Sequence, residues 1–513
     1  ARPLAILAAI SIVALVALDA AARPGGGHGY SGGGGGGHSG GGGYSGGGGY
    51  SGGSHSSSGG GGDAGVLIYW LIRFVFEFPV IGVPLLLLVL YFWFFRMRHV
   101  ADVQRDRWSS DDTFALAPRP TRRPGLEKIR ARDPEFSAVL FEDFVYALYA
   151  RVHTARSDPA AMTALTPYVA EGSRTALLAR DPSGVPISGV VVGAMQVLSV
   201  KVPGAADSNG KIRVDLKFEA NYTATIDGEP HGYYIEERWG LQRSISVQSK
   251  PPGEALEFRC PSCGAPFESS GGERCRYCKQ EVGGGRFDWT LTHVNLLQQD
   301  TRPPALTADV VERGTDAPTV FDPRVQAEHA ALIGEDPGAA PELIERRLRA
   351  IYSELNIAWS TLDLQRIRPL VSDSMFNYLE YWILAYRVQG LRNRLEEMAI
   401  SRVQIVKLTR DRHYDAITLR FWASGRDYTV RADDGETVSG SKSRKRSYSE
   451  YWTLIRGARV RGAPREPGNC PSCGAGTERV NMAGTCEYCG SHLTRGEFDW
   501  VLSKIEQDDS YAG

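Results

Sequence analysis

The chain has 513 residues, enough for two or three domains, and a formal net charge of −1. That balance by itself says nothing about nucleic acid, while ordinary composition over most of the length excludes a wholly disordered chain. The exceptions are two N-terminal stretches, one almost all Gly, Ser, Tyr and His, the other almost all apolar.

Residues 1–22 combine Arg2, a short apolar run and the small residues Ala20-Ala21-Ala22. This is the pattern of a secretory signal peptide, with an uncleaved anchor as the alternative. Residues 23–65 repeat Gly-Gly-Tyr-Ser-Gly-Gly; they cannot bury a core and are expected to be disordered. The apolar run over 66–95, within an expected transmembrane segment of 66–98, is long enough to span a bilayer as one helix, with Trp70 and Trp93 at the two interfaces. Arg96, Arg98, Arg105 and Arg107 follow it, which places the C-terminal side in the cytoplasm by the positive-inside rule. The expected location is a bacterial inner (plasma) membrane, single-pass after signal cleavage. Residues 99–133 read as a linker whose arginines can touch anionic lipid.

A first folded unit is expected over 134–298. Phe136, Leu140, Phe144, Ala147 and Leu148 have a helical period, and a second helix is expected over 159–180. Strands follow at 190–202, 212–224 and 233–247, with Asp227-Gly228 as the turn between the last two. Residues 299–340 are rich in Pro and Asp and read as a second linker. A second unit, 341–508, repeats the order. Ile344, Leu348, Ile351, Leu355 and Trp359 share a helix face, and Ser372 is placed to cap the next helix. Strands are expected at 400–408, 414–423, 426–432 and 447–456, with a turn at Asp434-Gly435. The fold class is therefore α+β with antiparallel sheets.

All eight cysteines lie in two matching clusters. Cys260, Cys263, Cys275 and Cys278 fall within 258–282; Cys470, Cys473, Cys486 and Cys489 fall within 468–493. Each cluster opens with Cys-Pro-Ser-Cys-Gly-Ala and is followed, nine positions beyond its last Cys, by Phe-Asp-Trp (287–289 and 498–500). Two residues between cysteines let one turn aim two thiolates at one ion, and a second such turn completes a tetrahedral set. The expectation is two zinc ions, one per ribbon, both structural because four sulfurs leave no open position. Iron, or two disulfides per cluster, are the alternatives. Each ribbon falls between two expected strands, as an elaborated hairpin tip that zinc holds closed.

Ala358 to Asp363, Arg368 to Asp373, Tyr381-Trp382, Gly390 to Asn393 and Glu450 to Arg456 together resemble the TIM forty-four-like domain family. The first unit resembles it less: Glu237 to Arg243 matches Glu450 to Arg456, but no Trp stands in the place of Trp359. The resemblance implies two cone-shaped units, helices packed on a curved antiparallel sheet as in nuclear transport factor two and cystatins. It implies a membrane-anchored scaffold that recruits protein partners, with possible lipid contact, and no catalytic residues. The ribbons are additions to the family pattern.

Two other function classes are open. An enzyme or small-molecule binder on the conical fold would use a pocket lined by Trp359, Tyr378, Trp382 and Trp422, with Asp363 or Asp415 as the acid. The plainer reading makes these aromatics core. A nucleic-acid binder would use the ribbons and the basic cluster Lys442 to Arg446; a solvated edge that blocks strand pairing is the plainer reading there. Nucleic acid is not the expected partner.

Overall fold

The computed structural model describes residues 125–513, apart from 205–206, 208, 271, 302–305, 307–311, 313 and 509. The signal-like start, the Gly-rich tract, the apolar run and most of the first linker lie outside the described residues. Among the described residues no helix is long and apolar enough to cross a membrane.

Helices precede strands in both halves. In the first half these are α1 (Ala138–Thr154), α2 (Pro159–Ala164), α3 (Glu171–Leu178), then β1 (Ile187–Lys201), β2 (Lys211–Ile226), β3 (Glu229–Ser244) and β4 (Thr290–Thr301). In the second half they are α4 (Val325–Glu335), α5 (Pro341–Thr361), α6 (Asp373–Val388), β5 (Leu391–Arg410), β6 (Tyr414–Arg431), β7 (Thr437–Gly440), β8 (Arg446–Gly457) and β9 (Val501–Gln507). Both sheets are antiparallel, in the orders β1-β2-β3-β4 and β5-β6-β8-β9, with β7 alongside β6.

Local chemistry explains the boundaries. The Ser137 hydroxyl caps α1 by accepting from Leu140 N, and Ser372 caps α6 by accepting from Met375 N, each at 3.3 Å. Asp227 and Gly228 both have positive φ, which suits the two-residue hairpin turn closing β2 on β3. Pro167 cannot continue a helix, so the single helix expected over 159–180 is two, α2 and α3. The strands expected at 414–423 and 426–432 are one, β6. Gly425 sits inside it because a Cβ there would stand 2.9 Å from the Met398 Cα, where β5 bulges.

The two halves were expected as separate units on a linker; the described residues of both instead fall in one compact unit. Val191 and Tyr234 of the first half belong to the core of the second. Leu140 packs with Tyr414, Ala416, Ile455 and Val501. The stretch at 299–340 is more than a connection. It carries α4, and its backbone lies on the outer face of the second sheet, where Arg420 donates to the carbonyls of Gly314 and Ala317 at 3.0 and 2.8 Å.

Candidate metal centres

Each cysteine cluster lies between two hydrogen-bonded neighbours, β3 and β4 or β8 and β9, so each ribbon is an elaborated hairpin tip. Both tips lead into an edge strand. All four knuckles have the same backbone. The residue after each second Cys donates back to the first (Gly264 to Cys260, Lys279 to Cys275, Gly474 to Cys470, Gly490 to Cys486; 2.8–3.0 Å). The first Cys in turn donates to the carbonyl five residues on, as Cys260 does to Ala265 and Cys486 to Ser491.

In each set the four sulfurs lie within 4.8 Å of one another. Cys260–Cys278, Cys470–Cys489 and Cys473–Cys486 are each 3.8 Å apart. Four sulfurs bound at 2.3 Å to a shared tetrahedral ion stand about 3.8 Å apart, whereas a disulfide needs about 2.0 Å. The donor sets therefore fit metal ions and are compatible with zinc. Small apolar cores support them: Phe267, Val282 and Phe287 around the first, Val480, Leu493 and Phe498 around the second.

Three knuckles end on a Gly with positive φ, and the fourth ends on Lys279 at φ 61°. A side chain in that region costs about 1–2 kcal/mol, partly offset by the freer unfolded state of glycine. Lys279→Gly is expected to stabilise the first ribbon by about 0.5–1 kcal/mol. The check is slower metal loss to a chelator from that site alone; faster loss would mean that the lysine side chain anchors the turn.

The ribbons are tied to their sheets by a contact set that occurs twice. Arg243, at the end of β3, donates to Asp133 at 2.6 Å and lies over the Trp289 ring at 4.8 Å. Arg456, at the end of β8, donates to Asp336 at 2.7 Å and lies over Trp500 at 4.4 Å. All six side chains are buried. Two residues before each Phe-Asp-Trp, Gly285 and Gly496 take positive φ and accept from Ser244 N and Gly457 N at 2.7 and 2.8 Å. A Cβ on either would meet the arginine's own backbone at 2.8–3.1 Å, so only glycine allows this approach. Two residues beyond each Trp, Leu291 and Leu502 form parallel bridges with Val169 and Val371. Inside each half a Trp indole donates to a Glu two residues earlier, Trp239 to Glu237 at 3.3 Å and Trp452 to Glu450 at 2.8 Å.

Sequence reasoning found the cysteines, both tryptophans and the Glu-to-Arg strings but missed this clamp. Its signal was an Asp-Pro before the first long helix of each half, Asp133-Pro134 and Asp336-Pro337. Counted on from those aspartates, the position matching Trp359 is Arg156, which donates to the carbonyls of Arg180 and Pro182.

The proposed aromatic pocket does not assemble. Trp359 is fully buried and donates to Asn393 Oδ1 at 3.1 Å. Trp382 packs edge-on against Tyr378 and Tyr381. Trp422 is on the opposite face of β6 from core residue Phe421, between Arg402 and Arg420, and donates to Thr315. Strand alternation separates it from the others. Asp363 is exposed. Asp415 is buried against Arg410, which donates to it at 3.0 Å; burial pushes its carboxyl above the usual range against that pairing. The basic cluster forms the tip between β7 and β8, and part of it is tied back: Arg446 is buried against Glu312 and Asp427, and Lys445 pairs with Glu397.

Residues 328–465 match the Tim44-like domain. The matched stretch begins in α4 and stops just before Cys470, so it covers the second half without its ribbon and without β9. No curated protein matches the chain. Among solved structures, an Ntf2 like protein involved in plasmid conjugation is similar at 7% identity. That alignment covers 72% of this chain and 97% of the other with a TM-score of 0.17, too slight a likeness to bear on function.

Proposed function

We propose that this chain is a membrane-tethered scaffold in which two Tim44-like modules, each with a zinc-bearing ribbon, hold protein partners at the cytoplasmic face of a bacterial plasma membrane. The match over 328–465 carries the reading, because it falls on a module whose arginine clamp recurs in the first half. The first half is read as a diverged second copy. Zinc acts as a cross-link here: it holds each hairpin tip shut and leaves no coordination position for substrate. The tips are suited to contact. Tyr277 and Tyr488, each just before the last Cys of its ribbon, are 53% and 79% exposed, and Met482 is 48% exposed. Aromatic and Met side chains held out by a rigid loop are the usual material of a protein interface.

The experiment places a photo-crosslinking residue at Tyr488 in the full chain and irradiates intact cells. Discrete protein adducts are expected, lost when Cys486→Ser opens the ribbon, with the C-terminus protected from protease in spheroplasts. Adducts to nucleic acid, or a C-terminus open to protease in spheroplasts, would overturn the reading.

A further inference from the structure

Where the halves meet, α1 faces the N-terminus of α6 and the edge strand β9. Two grooves, each of about 150 Å3, open along this seam, and both are lined by Asp143, Tyr146, Ser503 and Lys504. One runs on between apolar walls that include Val190, Val192, Leu256, Met375 and Ile505. Polar groups close the seam: Ser374 Oγ donates to Asp143 at 2.9 Å, and Lys504 pairs with Glu142.

The charges at this junction do not balance. The Lys504 ammonium is taken by Glu142, and Asp373 is held by Arg368 and, at 3.9 Å, by Arg495. Asp143 is half-buried, with its remaining exposure toward the grooves, and makes no ion pair among the described residues. The ionisable groups around it are Glu142 and Tyr146 on its own helix, Asp373 on α6, Lys504 and Glu506 on β9, Arg495 before β9, and Tyr414 at the start of β6, and Glu127, Asp322 and Lys407 line the other groove farther along. A carboxylate at the end of an apolar groove, hydrogen-bonded once and faced by more acids than free cations, lacks a cation.

We propose that the seam groove is a binding site for a small amphipathic primary amine, its ammonium on Asp143 and its hydrocarbon chain along the Val190–Ile505 walls. The seam site is independent of the scaffold reading, since it uses neither ribbon nor membrane. Hydrocarbon burial supplies about 0.8 kcal/mol per methylene, and the carboxylate selects charge. Burial pushes the Asp143 carboxyl up to about 7; the Ser374 hydrogen bond and Arg495 oppose this, and Asp373 and Glu142 add to it. The amine stays protonated to about pH 10, so the carboxyl alone sets the pH dependence. Affinity is expected to be full above pH 8 and to fall about 100-fold by pH 5 as Asp143 takes a proton.

The test is calorimetric titration of the full chain with n-hexylamine, n-hexanol and hexanoate. Hexylamine is expected to bind at least tenfold more tightly than either analogue, and Asp143→Asn is expected to remove that preference and its pH dependence. Equal binding of all three, tighter hexanoate (which would assign the groove to Lys504), or no binding of hexylamine overturns the proposal. The three-ligand comparison on the unaltered chain decides the matter even if Asp143→Asn fails to fold.

Discussion

Arg456→Ala is expected to cost about 3–5 kcal/mol of folding stability, the cost of breaking a buried ion pair by removing one partner. Asp336 would keep its buried place with the hydrogen bonds from the Gly338 and Gly462 amides, but without a counter-charge. Arg456→Lys is expected to recover only part of the loss. A lysine ammonium cannot donate to Asp336 while a flat face covers Trp500 at 4.4 Å. The same clamp predicts an acid limit. Burial pushes the Asp336 carboxyl up, but the two amides and Arg456 together hold it below the usual carboxylate range. A group whose folded pKa is depressed contributes stability that is present above its unfolded value, about 3.9, and is lost as pH falls through the folded one. Urea unfolding of the wild type and Arg456→Ala between pH 7 and 3 measures both effects. The two curves should converge toward low pH. A difference below 1 kcal/mol at pH 7 would mean that the clamp shapes the ribbon's approach without stabilising the fold.

Cys473→Ser is expected to lower the metal count from two to one and to open the second ribbon while its sheet persists. A structural zinc site of this type contributes on the order of 10 kcal/mol of binding free energy, so a three-sulfur remnant does not hold the ribbon shut. The sheet persists because its contacts lie elsewhere. β6 pairs along its length with β5 and β8, and Trp500 is fixed by Arg456 rather than by the metal. The losses fall where the ribbon rests on its own half: Gln365 on the Val480 carbonyl, Arg368 on the Met482 carbonyl, and Thr494 on Asp373. Native mass spectrometry counts the metal, and hydrogen exchange should show β9 exchanging faster while β6 stays protected. Loss of both ions from this single change, or collapse of the whole sheet, would refute the picture of two independent hairpin clips. Cys263→Ser tests the first half in the same way.

The features read correctly from the chain alone rest on near neighbours. Two thiolates on one turn, Ser372 over the next three residues, and Asp227-Gly228 between alternating strands each need only a few residues of backbone to act, so their spacing carries the information. Gly425 shows the limit. In the sequence it resembles a turn that ends a strand, and only the bulge of β5 against it turns it into a site of close approach. The aromatic pocket failed for a related reason. Trp359, Trp382 and Trp422 are alike in composition, yet strand alternation sends Trp422 to the other face of the sheet. What the sequence determined by itself was the pair of four-cysteine clusters and the helices-then-strands order. The tertiary structure decided the arginine clamps, the merging of two expected units into one body and the seam at Asp143. Those features join residues more than a hundred positions apart, and their energy comes from burial and charge pairing that arise only once distant segments exclude water from each other.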